Sequence, residues 1–544
     1  MNGLMMNYSL TLDKMLTRAN TVFPSQEIVS RLADGSIHRY TYKDFYKRVL
    51  RLMNALRTLG VKPGDRVATF AWNNYRHMEI YFAVPALGAV LHTLNIKLFP
   101  ESLTYIVNHA EDKFIFVDKS LVKPLAALQD TFKTVENYII MDDKAAEPDI
   151  QFKTSLDYEN LINQADETES FIELDENTAA GLCYTSGTTG EPKGALYSHR
   201  SMFLHAVGIC MTDTLGIGAR DAVLPVVPMF HVNAWGIPFA CCLSGAKPVF
   251  PGPGLLGKPI AELIEQEKVT IAAGVPTIWN LLYHHLKKEK HDVSSLKSIV
   301  VGGSAVPEAL IRGFQKDFGL SILHAWGMTE TSPVGTVCNL LPQIAALPEE
   351  ERFSYKAKQG LPAPMVELRI VDDKGNDVVR DGKASGELLI RGPWVVSSYF
   401  NNDSESARQA FTEDGWFRTG DVASIDPMGY MQITDRVKDL IKTRGEWLSS
   451  VEMENLAMSH PSVLEATVVG RADDVRGEAP VLFVVVQETE KGKLSAKEVY
   501  DHLSPHFAHW QLPKISDIHF IESIPKTSVG KFDKKVLRKQ LQEG

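Results

Sequence analysis

Hydrophobic residues in the first 120 positions alternate between two spacings, one typical of helices and one typical of strands. Across 42–60 they recur every three or four positions, which predicts an amphipathic helix that stops at Gly60. Short apolar runs predict strands at 66–70, 90–94 and 114–117, and the segments 75–87 and 100–110 predict helices between them. Strands and helices that alternate in this way predict a parallel α/β sheet.

A second set of alternating elements begins near residue 200. Helices are predicted at 201–209, 259–267 and 276–288, and strands at 222–226, 246–250, 271–274 and 298–302. We expect the two sets to form two stacked α/β layers of one large unit.

The pattern changes twice more toward the C-terminus. Strand-like segments with Asp- and Gly-containing turns predict a small β-rich subdomain at about 360–435, with strands at 365–371, 386–391, 422–425 and 431–434. Beyond it, helices are predicted at 450–459, 496–506 and 534–541, and strands at 463–470, 481–487 and 517–521. We therefore expect an N-terminal domain at 1–435 and a smaller α+β domain at 436–544. The polar segment 142–169 is expected at the surface.

Composition narrows the class of protein. At 544 residues the chain is too long for one ordinary core, and its net charge of −10 argues against a general binder of nucleic acids or anionic membranes. Five cysteines without a CxxC pair predict reduced thiols and no cysteine-based zinc site. The N-terminus has no signal-peptide pattern, and no apolar run reaches the roughly 20 residues of a membrane span. We expect a soluble, cytoplasmic protein.

The segment 185–194, TSGTTGEPKG, is the most informative part of the chain. It holds three glycines, four hydroxyl side chains and Lys193 between two apolar runs. Glycines let backbone N–H groups turn toward a ligand, and the hydroxyls and the lysine add donors and positive charge. These residues predict a loop that wraps a polyphosphate, although it does not end in the Gly-Lys-Ser/Thr of a Walker A loop. The alternative is a flexible surface turn.

Two further segments combine aromatic and acidic residues. In 325–331 an aromatic ring suits a purine face, and Glu330 suits a hard cation such as Mg²⁺. A capped turn with a core tryptophan explains the same residues. The segment 416–421 ends in Gly-Asp, and Asp421 could accept two ribose hydroxyls. In isolation, an aspartate in a tight turn is the simpler explanation.

Three more segments carry candidate side chains. The charged run 435–442 lies at the expected domain boundary, where an exposed hinge and a solvated charge run are equally good explanations. The loop 525–531 carries Lys531, which could neutralise developing phosphate charge or belong to a basic surface tail. His231 lies in the apolar segment 228–235, where a satisfied core histidine is more common than an acid–base catalyst.

Taken together and in order, these motifs closely resemble those of the AMP-forming acyl-CoA synthetases, the superfamily that includes luciferases and peptide-synthetase adenylation domains. The motifs are TSGTTGEPKG, AWGMTET, WFRTGD, DRVKDLIKTRGEW and PKTSVGK, and the resemblance spans essentially the whole chain. The segments PVVPMFHVNAWG and ATFAWNNYRHMEIYFAV, with the Glu-Trp of RGEW, most resemble medium- and long-chain fatty acid–CoA ligases. Ligases of methylthio-propionate share these features.

The resemblance implies roles for individual residues. The ATP triphosphate would contact Thr185, Ser186, Gly187, Thr188, Thr189 and Lys193, and Mg²⁺ would be held at Thr185 and Glu330. The rest of the nucleotide would lie against Ala325, Gly327, Thr329, an adenine-stacking Trp326, the ribose contacts Asp421 and Arg436, and Lys442. Gly303 and Ser304 would separate the nucleotide from an acyl site formed by His231, Gly303, Trp447 and Trp235, the last acting as a gate. Lys438 would be the hinge, and the catalytic set would be Lys531, Glu330, Thr185 and His231.

The resemblance also implies the reaction. A fatty acid would react with ATP to give an acyl-adenylate, and the thiol of CoA would displace AMP after the mobile C-terminal domain rotates. Mg²⁺ is the implied cofactor, ATP and CoA are the co-substrates, and a homodimer is the implied assembly. Arg444 departs from the family, since many relatives carry glycine there. One alternative is an adenylating enzyme with a different acceptor. Another is a catalytically silent nucleotide-binding regulator, against which Lys531 and Glu330 argue.

Overall fold

The computed structural model describes residues 1, 3–169, 171–185, 191–443, 446–473, 476–527 and 532–543. Its helices are α1 (Leu12–Val22), α2 (Tyr42–Thr58), α3 (Tyr75–Ala86), α4 (Pro100–Ala110), α5 (Val122–Ala126), α6 (Tyr158–Asn163), α7 (His199–Cys210), α8 (Val232–Trp235), α9 (Ile237–Ser244), α10 (Gly257–Glu267), α11 (Pro276–Lys288), α12 (Glu308–Phe318), α13 (Pro342–Ala345), α14 (Glu349–Lys356), α15 (Glu405–Arg408), α16 (Ser450–Met458), α17 (Ala496–Leu503) and α18 (Lys534–Glu543). Its strands are β1 (Glu27–Arg31), β2 (Ile37–Thr41), β3 (Arg66–Phe70), β4 (Val90–Thr93), β5 (Asp112–Asp118), β6 (Asn137–Met141), β7 (Ser155–Asp157), β8 (Ala179–Tyr184), β9 (Gly194–Ser198), β10 (Ala222–Pro225), β11 (Lys247–Phe250), β12 (Ile271–Gly274), β13 (Ser298–Val301), β14 (Ile322–Gly327), β15 (Val334–Val337), β16 (Leu361–Pro362), β17 (Glu367–Val371), β18 (Ser385–Arg391), β19 (Phe417–Ile425), β20 (Met431–Arg436), β21 (Ile441–Thr443), β22 (Glu446–Leu448), β23 (Val463–Asp473), β24 (Gly477–Val486) and β25 (Ile518–Phe520).

Two large sheets form the N-terminal part of the chain. The first has the strand order β7-β6-β5-β3-β4-β8-β9 and is parallel except where β9 runs against β8. The second has the order β16-β15-β14-β13-β12-β10-β11-β1-β2, with antiparallel strands at both ends. The two α/β layers that the hydrophobic pattern predicts are therefore confirmed. The hairpin of β1 and β2 is an unexpected addition to the second sheet, where Val29 pairs with Val249 of β11.

Helix α3 is buried along its whole length and joins the N-terminal elements into one core. Helix α2 packs against it and starts with a capping box, in which Thr41 and Asp44 side chains each accept the other's backbone N–H. Glu79 of α3 is fully buried and accepts a hydrogen bond from Arg48 Nε of α2 at 2.7 Å. Because a buried charge needs a hydrogen-bonded partner, this ion pair ties the two helices together.

The polar segment 142–169 is expected at the surface, and this prediction is wrong for its middle part. Strand β7 extends the first sheet, and α6 packs beside α2. Tyr158 and Ile162 of α6 are fully buried, and the Tyr158 hydroxyl donates a hydrogen bond to Glu79. Apolar residues are few in this segment, and the two fully buried ones of α6 are spaced four residues apart on one helical face, so the composition of the segment conceals them.

The C-terminal third holds two smaller sheets. The antiparallel sheet β17-β18-β19-β20 confirms the predicted β-rich character of 360–435. The other joins β22, β21, β24 and β23, with β25 beside β24, and residues from 441 to 518 pack into a core of their own. Strand β20 runs through the expected boundary, so the division at residue 435 stays a prediction. None of the described helices is both long enough and apolar enough to cross a membrane.

Candidate functional site

A cavity of about 1000 Å³ lies at the carboxyl ends of β4, β8, β13 and β14, the edge at which open α/β sheets bind ligands. The small sheet and the C-terminal segment complete its wall. Charged and aromatic side chains in the lining include Lys193, Trp326, Glu330, Tyr399, Arg436 and Lys438. Apolar ones include Leu94, Ile106, Val232, Trp235 and Val334. The cavity therefore offers polar and apolar surfaces to one ligand or to adjacent ligands.

The two ends of the segment 185–194 meet at this cavity. Thr185 N donates to the carbonyl of Lys193 at 2.9 Å, and Lys193 N donates to Thr185 Oγ1 at 3.2 Å. These bonds close the base of the loop between β8 and β9. Lys193 Nζ lies 4.9 Å from the centre of the Tyr399 ring, which is a cation–π contact. Four predicted phosphate contacts lie outside the described residues and stay predictions: Ser186, Gly187, Thr188 and Thr189.

Glu330 is buried in a short 3-10 turn that follows β14. Its Oε1 accepts a hydrogen bond from the Tyr399 hydroxyl at 2.8 Å, and its carbonyl accepts one from Val396 N at 2.9 Å. Burial, and then the charge of Glu330, raises the pKa of the Tyr399 phenol, so the phenol stays protonated as the donor. Tyr399 therefore contacts the carboxylate with its hydroxyl and Lys193 with its ring.

The oxygen atoms near this carboxylate fit a magnesium ion. Glu330 and Thr185 both line the cavity, and each presents an oxygen of the kind that Mg²⁺ prefers. A protein usually holds Mg²⁺ through one or two such ligands, while substrate phosphates and water complete the coordination. The donor atoms of the two residues are therefore of the type that fits an ion arriving with a nucleotide.

Trp326, Asp421 and Arg436 meet from three different strands. Trp326 Nε1 donates to Asp421 Oδ2 at 2.9 Å, and Arg436 Nε lies 3.3 Å from Asp421 Oδ1. Asp421 and Arg436 are direct partners across β19 and β20, and this register sets their contact. The sequence suggests a loop for 325–331 and allows a tight turn at Asp421. The loop expectation is wrong for 325–327, which lie on β14, whereas 329–331 form a short 3-10 turn. The tight turn is also wrong, since Asp421 lies on β19, where neighbouring strands fix the backbone.

The residues beside Trp326 form a continuous wall of the cavity, from Ala325 to Glu330. A Cβ on Gly327 would lie 1.8 Å from the carbonyl oxygen of Pro333, so only glycine fits there. The carbonyl of Thr329 accepts a hydrogen bond from the Tyr197 hydroxyl at 2.7 Å. Tyr197 belongs to β9, so this hydrogen bond connects the wall to the first large sheet.

His231 lines the cavity and precedes a backbone segment of unusual shape. The segment is α8, a left-handed turn whose residues Val232, Asn233, Ala234 and Trp235 have φ angles of 46°, 52°, 50° and 57°. Non-glycine residues lose about 1–2 kcal/mol each in this conformation. Packing holds the turn, because Trp235 is only 6% exposed and the Thr93 hydroxyl donates to Asn233 Oδ1 at 3.5 Å.

Gly302 allows this turn to approach β14. A Cβ there would lie 2.9 Å from the Ala325 carbonyl oxygen and 3.3 Å from the Trp235 ring. Gly303, with a φ of +87°, lines the cavity beside it. Ser304 is exposed and lies outside the cavity lining in the part of the chain that the structure describes.

The C-terminal part covers one side of the cavity. Lys438 and Arg538 both line it, and Arg538 Nη2 lies 3.3 Å from the Lys438 carbonyl and 2.6 Å from Asp439 Oδ1. Before Lys438 in the chain, Asp435 Oδ2 accepts a hydrogen bond from Ser450 N at 2.5 Å. Contacts with the C-terminal part therefore lie on both sides of Lys438, the expected hinge residue, at Asp435 and at Asp439.

Three predicted residues of the C-terminal part stay predictions. Lys442 lies on β21, and the cavity lining formed by the described residues does not include it. Lys531 and the side chain of Trp447 lie outside the described residues. Thr527 and Phe532, on either side of 528–531, both line the cavity.

Sequence reasoning missed Tyr399 and a buried pair beside the cavity. No local pattern distinguishes Tyr399 from a surface tyrosine. In the buried pair, His92 Nδ1 lies 2.9 Å from both carboxylate oxygens of Asp112, and both side chains are fully buried. Burial raises the pKa of the Asp112 carboxyl, and His92 opposes this effect. The sequence does not predict this pair, because His92 on β4 and Asp112 on β5 are near each other only once both strands have paired with β3, which lies between them.

Comparison with known proteins gives matches along nearly the whole chain. A family model described as AMP-binding enzyme matches residues 16–400, and one described as AMP-binding enzyme C-terminal domain matches residues 452–531. A long-chain-fatty-acid–CoA ligase of Thermus thermophilus is 46% identical over 98% of this chain and 96% of its own. A 3-methylmercaptopropionyl-CoA ligase of Ruegeria lacuscaerulensis is 43% identical over 100% of this chain and 99% of its own. The crystal structure of ATP-bound MatB from Rhodopseudomonas palustris aligns with a TM-score of 0.83 at 25% identity, over 98% of this chain and 99% of that one.

Proposed function

The chain belongs to the family of AMP-binding enzymes and is an AMP-forming acyl-CoA ligase, and we propose that its substrate is a medium- to long-chain fatty acid. The observation that carries this proposal is the combination of surfaces in one cavity. Lys193, Glu330 and Arg436 supply charged groups for a nucleotide and its ion. Val232 and Trp235 belong to an apolar wall suited to a hydrocarbon chain.

In the first half-reaction, a carboxylate oxygen of the acid attacks the α-phosphorus of ATP, and pyrophosphate leaves. The acid is already ionised at neutral pH, so this step needs no general base. The protein then contributes in-line positioning and positive charge near the phosphates. We assign the charge to Lys193 and Lys531. Glu330 and Thr185 would hold Mg²⁺, which would supply further neutralisation of phosphate charge.

Asp421 and Trp326 position the nucleoside. An ionised carboxylate has about four acceptor sites, so Asp421 can bind two ribose hydroxyls while it still accepts the indole N–H. The same bond fixes the Trp326 ring, and a fixed ring offers one face to adenine. Arg436 Nε lies 3.3 Å from the same carboxylate, and this ion pair helps to fix its position.

In the second half-reaction, the CoA thiol loses its proton to water and its sulfur attacks the acyl carbon. The C–O bond to AMP breaks as the C–S bond forms. We assign the change between the two steps to rotation of 436–544 about Lys438. A rotation at that residue has to break the contact of Asp435 with Ser450, whereas the contact of Asp439 with Arg538 moves with the C-terminal part.

The competing substrate is a short sulfur-containing acid. The relatives act on acids of both kinds, according to their names. We favour a fatty acid because apolar side chains line the cavity from several separate elements, including α4, α8 and β15. Each additional buried methylene contributes about 0.8 kcal/mol, so such a wall rewards a longer chain.

A panel of acids tests the proposal. Pyrophosphate release and acyl-CoA formation would be measured for saturated acids from acetate to palmitate and for 3-methylmercaptopropionate, with and without CoA. We expect kcat/KM for the best fatty acid to exceed that for 3-methylmercaptopropionate by about tenfold or more. A maximum at 3-methylmercaptopropionate would favour the short-acid alternative. Pyrophosphate release without any thioester product would favour an acceptor other than CoA.

Tyr399→Phe should raise the Mg²⁺ concentration needed for half-maximal activity by about tenfold, because the phenol no longer holds Glu330. The phenylalanine ring keeps the contact with Lys193. The variant leaves the apolar wall at Val232 and Trp235 unchanged, so KM for the acid should stay near the wild-type value. Initial rates over a Mg²⁺ titration measure the effect. Tyr283→Phe is the matched control, since it removes a tyrosine–carboxylate bond to Asp317 outside the cavity lining. An unchanged Mg²⁺ dependence in Tyr399→Phe would show that Tyr399 has no such role.

We also propose a cytoplasmic homodimer. The side chains of Leu4, Met5 and Met6 are almost fully exposed, and burial against a second copy would remove this apolar surface from water. The cysteines of the described chain are free thiols, which is typical of a reducing compartment. Light scattering on the purified protein gives the assembly directly, and a monomeric mass would contradict the proposal.

A further inference from the structure

A cluster of metal-ligating side chains lies outside the cavity lining, at the C-terminal end of α11. His285 in the last turn of α11 and His291 in the following loop face each other, with their Nε2 atoms 3.0 Å apart. A carboxylate oxygen of Glu289 lies 3.9 Å from His285 Nε2. Both imidazoles are mostly buried, with 13% and 11% of their side chains exposed. Within the described ranges, no other three His, Cys, Asp or Glu side chains bring their ligand atoms within 4.8 Å of one another.

The far side of the His291 ring is also held. His291 Nδ1 lies 3.1 Å from Glu265 Oε2 of α10, and Glu265 Oε1 accepts the Asp292 N–H at 3.2 Å. A histidine that binds a metal through one nitrogen usually donates its other N–H to a carboxylate, which fixes the tautomer and the ring. The Glu265 contact places the proton on Nδ1 and leaves the His291 Nε2 lone pair directed at His285.

The spacing and the donor types suit a transition metal. At a tetrahedral angle, Zn–N bonds of about 2.0–2.1 Å place two nitrogens about 3.3–3.4 Å apart. The two Nε2 atoms are 3.0 Å apart, so a small separation of the rings would admit the ion. Two imidazoles with one carboxylate favour Zn²⁺ over Mg²⁺ or Ca²⁺, which prefer oxygen ligands. We propose that His285, His291 and Glu289 form a binding site for a divalent transition metal of the zinc class, and that Glu265 orients His291.

Such an ion would fasten the end of α11 to the loop that leads into β13. Because the ion binds the folded chain and not an unfolded one with the ligands apart, it stabilises the fold by mass action. Lys258 Nζ lies 3.6 Å from Glu289 at the surface and competes only weakly for that carboxylate. The three ligands lie outside the cavity lining, so ligase turnover is independent of the site.

The test uses the full chain without an affinity tag, stripped of metals and titrated with Zn²⁺ against a chromophoric chelator. We expect about one bound equivalent, which His285→Ala and His291→Ala each remove. Glu265→Gln should weaken binding about 10–100-fold. His284→Ala is the matched control, because His284 is the exposed neighbour of His285 and is not a ligand.

Thermal unfolding gives an independent measurement. Zn²⁺ should raise the unfolding midpoint of the wild type and of His284→Ala, and should not raise that of His291→Ala. Glu289→Gln, at an exposed position, tests the site with little risk to folding, and acyl-CoA formation confirms that each variant is folded. Zn²⁺ binding that persists in both histidine variants, or wild-type binding no tighter than that of His291→Ala, would overturn the proposal.

Discussion

Lys531→Ala should lower the rate of adenylate formation by about a thousandfold. A lysine near the phosphates stabilises the negative charge that develops as pyrophosphate leaves, and removing such a group typically costs about 10²–10³-fold or more in rate. Pyrophosphate–ATP exchange measures this half-reaction alone. Thioester formation from supplied acyl-adenylate should persist, because no phosphoanhydride bond breaks in that step.

The comparison of half-reactions separates a lost charge from a disturbed fold. Lys526→Ala is the matched control, because Lys526 lies in the same segment, pairs with Glu465 at 2.6 Å and lies outside the described cavity lining. It should retain both half-reactions. An equal loss of both half-reactions in Lys531→Ala would point to misfolding of the segment. If Lys531→Ala made acyl-CoA from ATP at the wild-type rate, the role assigned to Lys531 would be wrong.

Asp421→Ala should lower kcat/KM for ATP by about a hundredfold or more. Hydrogen bonds to a charged group contribute about 1.5–3 kcal/mol each, and the variant loses two to the ribose. It also frees the Trp326 indole and leaves Arg436 without its carboxylate partner. KM for the acid should change little. Steady-state rates over an ATP series, together with calorimetric titration of AMP, measure the loss.

A graded series identifies what the carboxylate contributes. Asp421→Asn keeps an oxygen that can accept the Trp326 N–H but lacks the charge, so its effect should be intermediate. Asp414→Ala is the control within the same subdomain, since Asp414 is exposed, lies outside the described cavity lining and faces Arg369 at 3.4 Å. The ribose assignment fails if Asp421→Ala and Asp414→Ala bind AMP equally well.

The elements of the fold were more predictable than their neighbours in the sheets. Periodicity reflects which face of an element is buried, so it predicts helices such as α2 and strands such as β12 from local residues alone. It carries no information about distant pairing, and therefore it does not place β1 beside β11. Composition was misleading at α6, where two buried side chains are outnumbered by polar ones.

In the candidate site, too, the residues with chemical roles were predictable and the residues that support them were not. Nucleotide chemistry requires particular side chains at short spacing, so the motifs predict residues such as Trp326, Glu330 and Asp421, and the structure places all three at or beside one cavity. Their support was not predictable. Tyr399 reaches Glu330 from an unremarkable segment. The left-handed conformation of α8 has no signal either, because its four residues include no glycine and tertiary packing alone imposes it.

The shape of α8 also affects how the acid preference of this enzyme can evolve. A substitution at 232–235 changes both the cavity wall and the energy of the left-handed backbone conformation. Most substitutions there should therefore lower the stability of the fold as well as alter which acid binds. Ile106 on α4 and Val334 on β15 line the same cavity on ordinary backbone, where a change in volume acts on the ligand alone. Relatives that act on different acids should therefore differ first at positions such as Ile106 and Val334, and should keep the left-handed turn of α8.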